Sequence, residues 1–151
     1  MEMTDKHDRV LAYVDEELRT AGYATLECRK TGSAYYGDIN PADYDVLVLV
    51  SKDTDLKRLT GKMRDGLHGI GWEDCAHRSD TPEYENEEND YYDKWVAIRK
   101  GDANAIITCD KVWFYRSLAC AVYCKNGEDM LFADKDERIE MFRLIRDGRE
   151  N

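Results

Sequence analysis

The stretch 29-RKTGSAYYGDINPADYDVLVLV-50 decides the fold of this chain. It ends in an apolar run over 46–50, in which every residue is valine or leucine. The run follows a loop that contains Asn40 and Pro41, two residues typical of turns. A short apolar run bounded in this way predicts a buried strand.

Two carboxylates, Asp43 and Asp45, lie where this strand begins. Residues i and i+2 of a strand share a face, so both acids point toward one place, roughly 6–7 Å apart along the backbone. Upstream, Gly32 and Ser33 form a turn that offers backbone N–H groups and a hydroxyl. Glycine permits a positive φ where a phosphate must approach closely, so the turn is a candidate phosphate site.

A Gly-Ser pair, nine intervening residues and then Asp43-Tyr44-Asp45-Val46 resembles the signature of the polymerase beta-like nucleotidyltransferase superfamily. In that superfamily, Gly-Gly or Gly-Ser precedes an acid–hydrophobic–acid–hydrophobic strand. Thr31 departs from the pattern, because the family usually has an apolar residue before the glycine. The likeness in size and order is to small, minimal phage and bacterial proteins of this type.

The resemblance implies a Mg²⁺-dependent enzyme that moves a nucleoside monophosphate from an NTP to a hydroxyl. Asp43 and Asp45 would hold one or two Mg²⁺ ions, and Gly32 and Ser33 would hold the β- and γ-phosphates. Lys30 is a candidate for neutralising phosphate charge, together with Arg99 and Lys100. The acceptor stays open: an RNA such as a tRNA 3′ end, a protein, or a small molecule.

The family also places a third carboxylate on the strand beside the acid pair, and here that strand carries Asn104. An amide cannot take a proton from an attacking hydroxyl at neutral pH, although its carbonyl oxygen can ligate Mg²⁺. Asp102 and Asp110 have the same strand parity as Asn104. We expect Asp102, next to the turn, to be the better substitute base.

Length and composition set the class of protein. A chain of 151 residues predicts one domain, and no apolar run approaches the ~20 residues of a membrane span. The charged N-terminus does not resemble a secretory signal, and five cysteines without a Cys-x-x-Cys pair are typical of the cytoplasm. The net charge of −10 argues against an enzyme that tracks a long nucleic-acid template.

Periodicity predicts an α/β (α+β) fold, in which a small mixed sheet has helices mostly on one face and two helices follow at the C-terminus. Four helices are expected over 4–22, 51–71, 110–126 and 134–148. Strands are expected over 24–30, 46–50, 95–98 and 103–108, the last two forming a hairpin. The three histidines, His7, His68 and His77, are interpreted as incidental surface residues.

The segment 72–94 is rich in acids, notably Glu83, Glu85, Glu87 and Glu88, and reads as a solvated loop. Alternatively its acids, with the interleaved Tyr84, Tyr91 and Tyr92, form a surface for a basic partner. Together with Asn104, this motivates a second hypothesis. The chain would then be a catalytically degenerate nucleotidyltransferase fold that acts as an acidic, inhibitor-type protein-binding module through residues 73–94.

Overall fold

A computed structural model describes residues 5–37, 40–65, 71–77 and 91–126, together with 137, 140, 142 and 144–146 in the C-terminal segment. The continuous ranges among these residues contain four helices: α1 (Lys6–Thr20), α2 (Gly32–Tyr36), α3 (Leu56–Asp65) and α4 (Lys111–Asn126). The same ranges contain five strands: β1 (Thr25–Thr31), β2 (Tyr44–Val50), β3 (Glu73–Asp74), β4 (Trp95–Lys100) and β5 (Ala103–Thr108). A 3₁₀ turn, Cys75–His77, follows β3.

The strands form one mixed sheet in the order β1-β2-β5-β4-β3. β2 and β5 are parallel, and the other neighbouring strands are antiparallel. This confirms the predicted mixed α+β class. The predicted hairpin of β4 and β5 forms around Gly101, whose φ of 60° is the left-handed conformation that favours glycine in tight turns.

The helices cover both faces of the sheet, whereas the sequence predicted them mostly on one. Lys30 of β1 forms an ion pair with Asp8 of α1, while Glu27 of β1 accepts a hydrogen bond from Tyr115 of α4. From Glu27 onward, the even and odd residues of β1 therefore face different helices, and α2 packs on the same side as α4. The physical reason lies in β2, in which all residues over 46–50 are buried. Because successive side chains point to opposite faces of the sheet, helices must pack on both faces to bury them.

The first helix begins two residues later than predicted. Asp5 is its N-cap, because the Asp5 carboxylate accepts a hydrogen bond from the backbone N–H of His7. Thr4, the first residue of the predicted range, lies outside the described residues. His7, Val10, Val14 and Leu18 form the buried stripe of α1.

The helix predicted over 51–71 is shorter than expected. α3 begins at Leu56, because the Asp55 carboxylate accepts a hydrogen bond from the backbone N–H of Arg58 at 3.1 Å and so acts as the N-cap. The helix ends at Asp65, and residues 66–70 lie outside the described part of the chain.

Both ends of the segment predicted as an acidic loop belong to the fold. Trp72 and Tyr91 are buried, and Glu73–Asp74 pairs with β4 as an edge strand. The Asp74 carboxylate accepts hydrogen bonds from the hydroxyls of Tyr91 and Tyr92. The solvated-loop interpretation is therefore wrong for these ends. Burial of the Trp72 and Tyr91 rings stabilises them in the fold, although acidic residues surround them in the sequence. Residues 78–90, with Tyr84 and the four glutamates of the partner hypothesis, lie outside the described residues.

Asp110, the first residue of the range predicted for this helix, caps α4 by accepting a hydrogen bond from the backbone N–H of Trp113 at 3.0 Å. The predicted helix over 134–148 lies largely outside the described residues, but its described positions 137, 140, 142, 144 and 145 are helical. The guanidinium of Arg146 stacks 4.6 Å from the centre of the Trp113 ring, which anchors this segment to the core. Among the described helices, none combines the length and apolar character that a membrane crossing requires.

Candidate functional site

A row of five side chains crosses the whole sheet near the start of β2. In the strand register, Thr31 pairs with Asp45, Asp45 with Asn104, Asn104 with Arg99, and Arg99 with Glu73. Residues paired in register lie on the same face of a sheet. All five side chains therefore belong to the face that α2 and α4 cover, and the strands concentrate polar groups there.

The carboxylate of Asp45 is held between the glycine turn and the amide of Asn104. Its Oδ1 accepts a hydrogen bond of 2.7 Å from Nδ2 of Asn104. Its Oδ2 lies so close to Gly32 that a Cβ added there would be 1.8 Å away. Gly32 also has a φ of 80°, so both conformation and space require glycine at this position. The Gly-Ser turn and the acid-bearing strand thus meet in direct contact.

Asn104 is 5% exposed and occupies the strand position where the resemblance implies a third acid. Its Nδ2 donates to Asp45, while its Oδ1 lies 4.0 Å from the sulfur of Cys75, on the side away from the carboxylate. A half-turn of the amide would exchange oxygen and nitrogen and present Oδ1 beside Asp45. Asn104 can therefore serve either as a donor to Asp45 or as an oxygen ligand, but not as a base.

Asp43 immediately precedes β2 and is half-buried. Between the two acids, Tyr44 packs its ring 5.4 Å from that of His7 and under the ammonium of Lys6, both in α1. Since Tyr44 faces α1, strand alternation directs the side chains on either side of it toward the opposite face. The predicted pairing of Asp43 with Asp45 on one face fits this arrangement.

His7 is part of the site region, and its interpretation as an incidental surface residue is wrong. The side chain is 2% exposed, and its Nε2 donates to the backbone oxygen of Asp45 at 2.7 Å. Burial lowers the pKa of His7, so the neutral imidazole is favoured. Its position three residues before Val10 and seven before Val14 is the signal that places it on the buried stripe of α1.

The three cations proposed for phosphate binding divide between the two faces of the sheet. Lys30 pairs with Asp8 at 2.8 Å and Lys100 with Glu17 at 3.5 Å, both on the α1 face. Arg99 shares its face with Asn104 and Asp45. Lys30 therefore faces away from the Asp45 carboxylate, and Arg99 is the better placed of the three.

The two aspartates considered as substitutes for the third acid lie at opposite ends of β5. Asp102 precedes the strand, at the end where Asp45 lies, but its carboxylate pairs at 2.6 Å with Lys6 of α1, on the face opposite to the Asp45 side chain. Its backbone oxygen accepts the N–H of Tyr44, which joins the hairpin turn to β2. Asp110 follows the strand and caps α4. Because β5 is parallel to β2, Asp110 lies at the far edge from Asp45 and does not belong to the site.

Ser33 and two tyrosines complete the glycine turn. Ser33 is half-buried in α2, and its backbone oxygen accepts the N–H of Gly37. The Tyr36 hydroxyl lies 3.5 Å from Oγ1 of Thr31, and burial raises the pKa of Tyr36 to about 12. The Tyr35 ring lies 4.5 Å from the ammonium of Lys125. Tyr36 therefore closes the space beside Asp45, while Tyr35 faces the end of α4.

The oxygen ligands present suit a hard cation. Asp43, Asp45 and a rotated Asn104 offer two carboxylates and one amide oxygen, the ligand types that Mg²⁺ takes while keeping water and substrate phosphate. Within the described ranges, no cluster of three or more His, Cys, Asp or Glu side chains forms a preassembled metal cage. The residues present fit a Mg²⁺ ion that shares its shell with a substrate.

Comparisons with known proteins give no relative for this chain. Its sequence matches no family model, and no curated protein or solved structure is significantly similar to it. The nucleotidyltransferase resemblance stays a prediction based on the residues of the motif.

Proposed function

We propose that this chain is a Mg²⁺-dependent nucleotidyltransferase that moves a nucleoside monophosphate from an NTP to an acceptor hydroxyl. The contact between Gly32 and the Asp45 carboxylate supports this most directly. A nucleotidyltransferase site requires its phosphate-binding turn to lie beside its Mg²⁺-binding acid, and here Gly32 of the turn contacts the Asp45 carboxylate. A reducing cytoplasm suits the chain, since all five of its cysteines are free.

In this proposal, Asp43, Asp45 and the Asn104 amide oxygen hold Mg²⁺, which when bound neutralises charge on the triphosphate. The Gly32 and Ser33 backbone N–H groups, with the Ser33 hydroxyl, orient the β- and γ-phosphates. Arg99 supplies positive charge on the same face of the sheet. The acceptor is an RNA, a protein or a small molecule.

Two further residues take supporting roles. Asp102 is the candidate base for the acceptor hydroxyl, but its carboxylate pairs with Lys6 on the α1 face, so it acts only after it leaves Lys6 and turns toward the face of Asp45. Lys30 lies on the other face, so it stabilises the sheet edge through Asp8 and does not contact phosphate.

A second candidate function is a catalytically degenerate fold that binds a partner protein. The hydrogen bond from Asn104 to Asp45 favours it, because an amide that donates into the acid satisfies that acid without metal. The partner would be basic and would bind the acidic segment 73–94. Changing Glu83, Glu85, Glu87 and Glu88 to glutamine would then abolish binding and its salt dependence.

The first experiment is calorimetric titration of each NTP in the presence of Mg²⁺ into three proteins. These are the wild type, an Asp43→Asn/Asp45→Asn variant, and a control of equal charge change, Asp53→Asn/Asp65→Asn, on exposed residues. We expect Mg²⁺-dependent binding of at least one NTP by the wild type and the control, and none by the site variant. If the folded wild type binds no NTP, the transferase proposal fails.

A second variant distinguishes the two candidate functions. Asn104→Asp brings two carboxylates together, so without metal we expect a loss of about 1–3 kcal/mol of unfolding free energy from repulsion and the lost hydrogen bond. In a metal site, Mg²⁺ should raise the melting temperature of this variant more than that of the wild type. Equal responses to Mg²⁺ would favour the degenerate fold.

A further inference from the structure

The outward half of α4 is an exposed surface that the candidate site does not use. Its exposed positions are Lys111, Val112, Tyr115, Arg116, Ala119, Val122, Tyr123 and Lys125. At 100° per residue, these positions form one continuous half of the helix. Val112 is 60% exposed, Tyr115 45% and Tyr123 55%, so large apolar side chains face solvent.

This surface, called the α4 face below, has an apolar centre and cationic margins. On the helical projection, the valines, alanine and tyrosines occupy its middle. Lys111 lies along one margin and Arg116 along the other. Lys125 lies on the same margin as Lys111, but its ammonium donates to the backbone oxygen of Tyr35 at 3.1 Å. Such an arrangement of aliphatic and tyrosine side chains between basic residues is typical of protein interfaces and unusual for a solvated helix face.

The charge of the α4 face is opposite to that of the whole chain. The chain carries 32 Asp and Glu against 22 Lys and Arg, yet α4 contains no acidic residue. Neither Lys111 nor Arg116 pairs with a carboxylate among the described residues. The nearby Glu27 carboxylate already accepts a hydrogen bond from the Tyr115 hydroxyl and forms an ion pair with Arg29. The α4 face is therefore a basic, apolar area on an acidic protein.

A second copy of the chain is a poor occupant of this face. When the α4 helices of two copies pair antiparallel, the Lys111 margin of one faces the Lys111 margin of the other, and likewise for Arg116. When they pair in parallel, the Lys111 margin of one faces the Arg116 margin of the other. In both arrangements the margins of α4 bring cations against cations, because α4 contains no carboxylate and the nearby Glu27 already binds Tyr115 and Arg29. Like charges facing each other across an interface cost affinity, so the occupant must bring the negative charge.

The side chains of the α4 face suit a protein partner better than a nucleic acid. The Tyr115 ring is fixed by its hydrogen bond to Glu27 and by edge contact with Phe114, with ring centres 5.2 Å apart. It is therefore not free to reorient and stack on a base. The aliphatic centre suits apolar side chains instead.

We infer that the α4 face is a docking surface for an acidic amphipathic helix of another protein. Apolar residues of that helix cover Val112, Tyr115, Val122 and their neighbours, and its flanking carboxylates pair with the basic margins. This inference is independent of the proposed function, because it concerns the side of α4 that faces away from the sheet.

The test uses two synthetic helical peptides that share a leucine face, one flanked by glutamate and the other by lysine. Fluorescence anisotropy measures the binding of each labelled peptide to the full chain. We expect the glutamate peptide to bind and the lysine peptide not to bind. Lys111→Glu/Arg116→Glu should weaken binding by at least about tenfold, because charge pairs at the margins become repulsive.

A matched control is Lys57→Glu/Arg64→Glu, which makes the same charge change on the exposed side of α3 and should leave the affinity unchanged. Val122→Glu, at the apolar centre, should also abolish binding. The inference is overturned if both peptides bind equally or neither binds. It is also overturned if single-stranded RNA binds in a manner sensitive to Lys111→Glu/Arg116→Glu, or if the wild type forms dimers that Val122→Glu dissociates in sedimentation.

Discussion

At the scale of single residues, Gly32 carries the strongest constraint in the candidate site. Its positive φ alone would strain an L-residue, and its contact with Asp45 leaves no space for a side chain. Gly22 provides a comparison, because it has a φ of 97° but no atom within 4 Å of an added Cβ. The two glycines therefore separate backbone strain from loss of the contact.

We predict that Gly32→Ala lowers the unfolding free energy by more than about 2 kcal/mol and displaces Asp45. Gly22→Ala should cost only the backbone strain, about 1–2 kcal/mol, and leave the Asp45 region unchanged. Urea denaturation measures both values, and Mg²⁺-dependent NTP binding reports on Asp45. Equal losses in the two variants would mean that the contact between Gly32 and Asp45 contributes nothing.

His7 makes stability depend on pH at the same site. Because burial lowers its pKa below the usual value near 6.5, the unfolded chain takes up a proton before the folded chain does. Stability linked to His7 is therefore complete above about pH 6.5 and is lost as the pH falls toward the folded pKa.

We predict that His7→Gln, which keeps a hydrogen-bond donor but does not titrate, loses less stability than the wild type between about pH 7.5 and about pH 5. Urea denaturation in the presence of a chelator measures this difference. Carboxylates titrate in both the wild type and the variant, so only the difference between their unfolding free energies at each pH reports on His7. Identical pH profiles would show that His7 does not sense protons.

At the scale of elements, Tyr91 joins the short edge strand to the sheet. Its hydroxyl lies 2.6 Å from the Asp74 carboxylate and 2.9 Å from the Ala97 carbonyl, and it accepts the Ala97 N–H at 3.0 Å. Burial, reinforced by Asp74, raises the pKa of Tyr91, which keeps the hydroxyl protonated. β3 has only two residues and therefore few backbone hydrogen bonds to β4. The Tyr91 hydroxyl adds a side-chain link between Asp74 of β3 and the backbone of β4.

We predict that Tyr91→Phe lowers the unfolding free energy by about 2–4 kcal/mol, since it removes the buried hydroxyl that links the Asp74 carboxylate to the backbone of Ala97. Hydrogen exchange should accelerate most at β3 and β4. The control is Tyr92→Phe, a more exposed residue that also donates to Asp74, which should cost about 1 kcal/mol. An equal cost in the two variants would contradict the special role of Tyr91.

At the scale of the whole molecule, the net charge of −10 produces self-repulsion. We predict that raising KCl from about 20 mM to about 300 mM increases the unfolding free energy, because the screening length falls to about 6 Å. Glu16→Gln/Asp53→Asn, which removes two exposed charges, should reduce this gain. If salt destabilises the protein, exposed pairs such as Lys6 with Asp102 outweigh the repulsion.

The sequence determined those features of the protein that depend on neighbours along the chain. The all-apolar run over 46–50 specified a buried strand, Gly101 specified the hairpin turn, and Asp110 specified the start of α4. The spacing of Gly32 and Asp45 also indicated the candidate site before any contact was known. These are consequences of local conformational preference and periodicity, which one segment of chain carries by itself.

Tertiary structure alone decided which of these side chains meet. Strand register placed Arg99 in the row with Asp45 and Lys30 on the other face, and packing buried His7 against the Asp45 backbone. The parallel pairing of β2 with β5 gave Asp45 its Asn104 partner and removed Asp110 from the site. Contacts between distant segments depend on how the whole core packs, and one segment of sequence does not specify them.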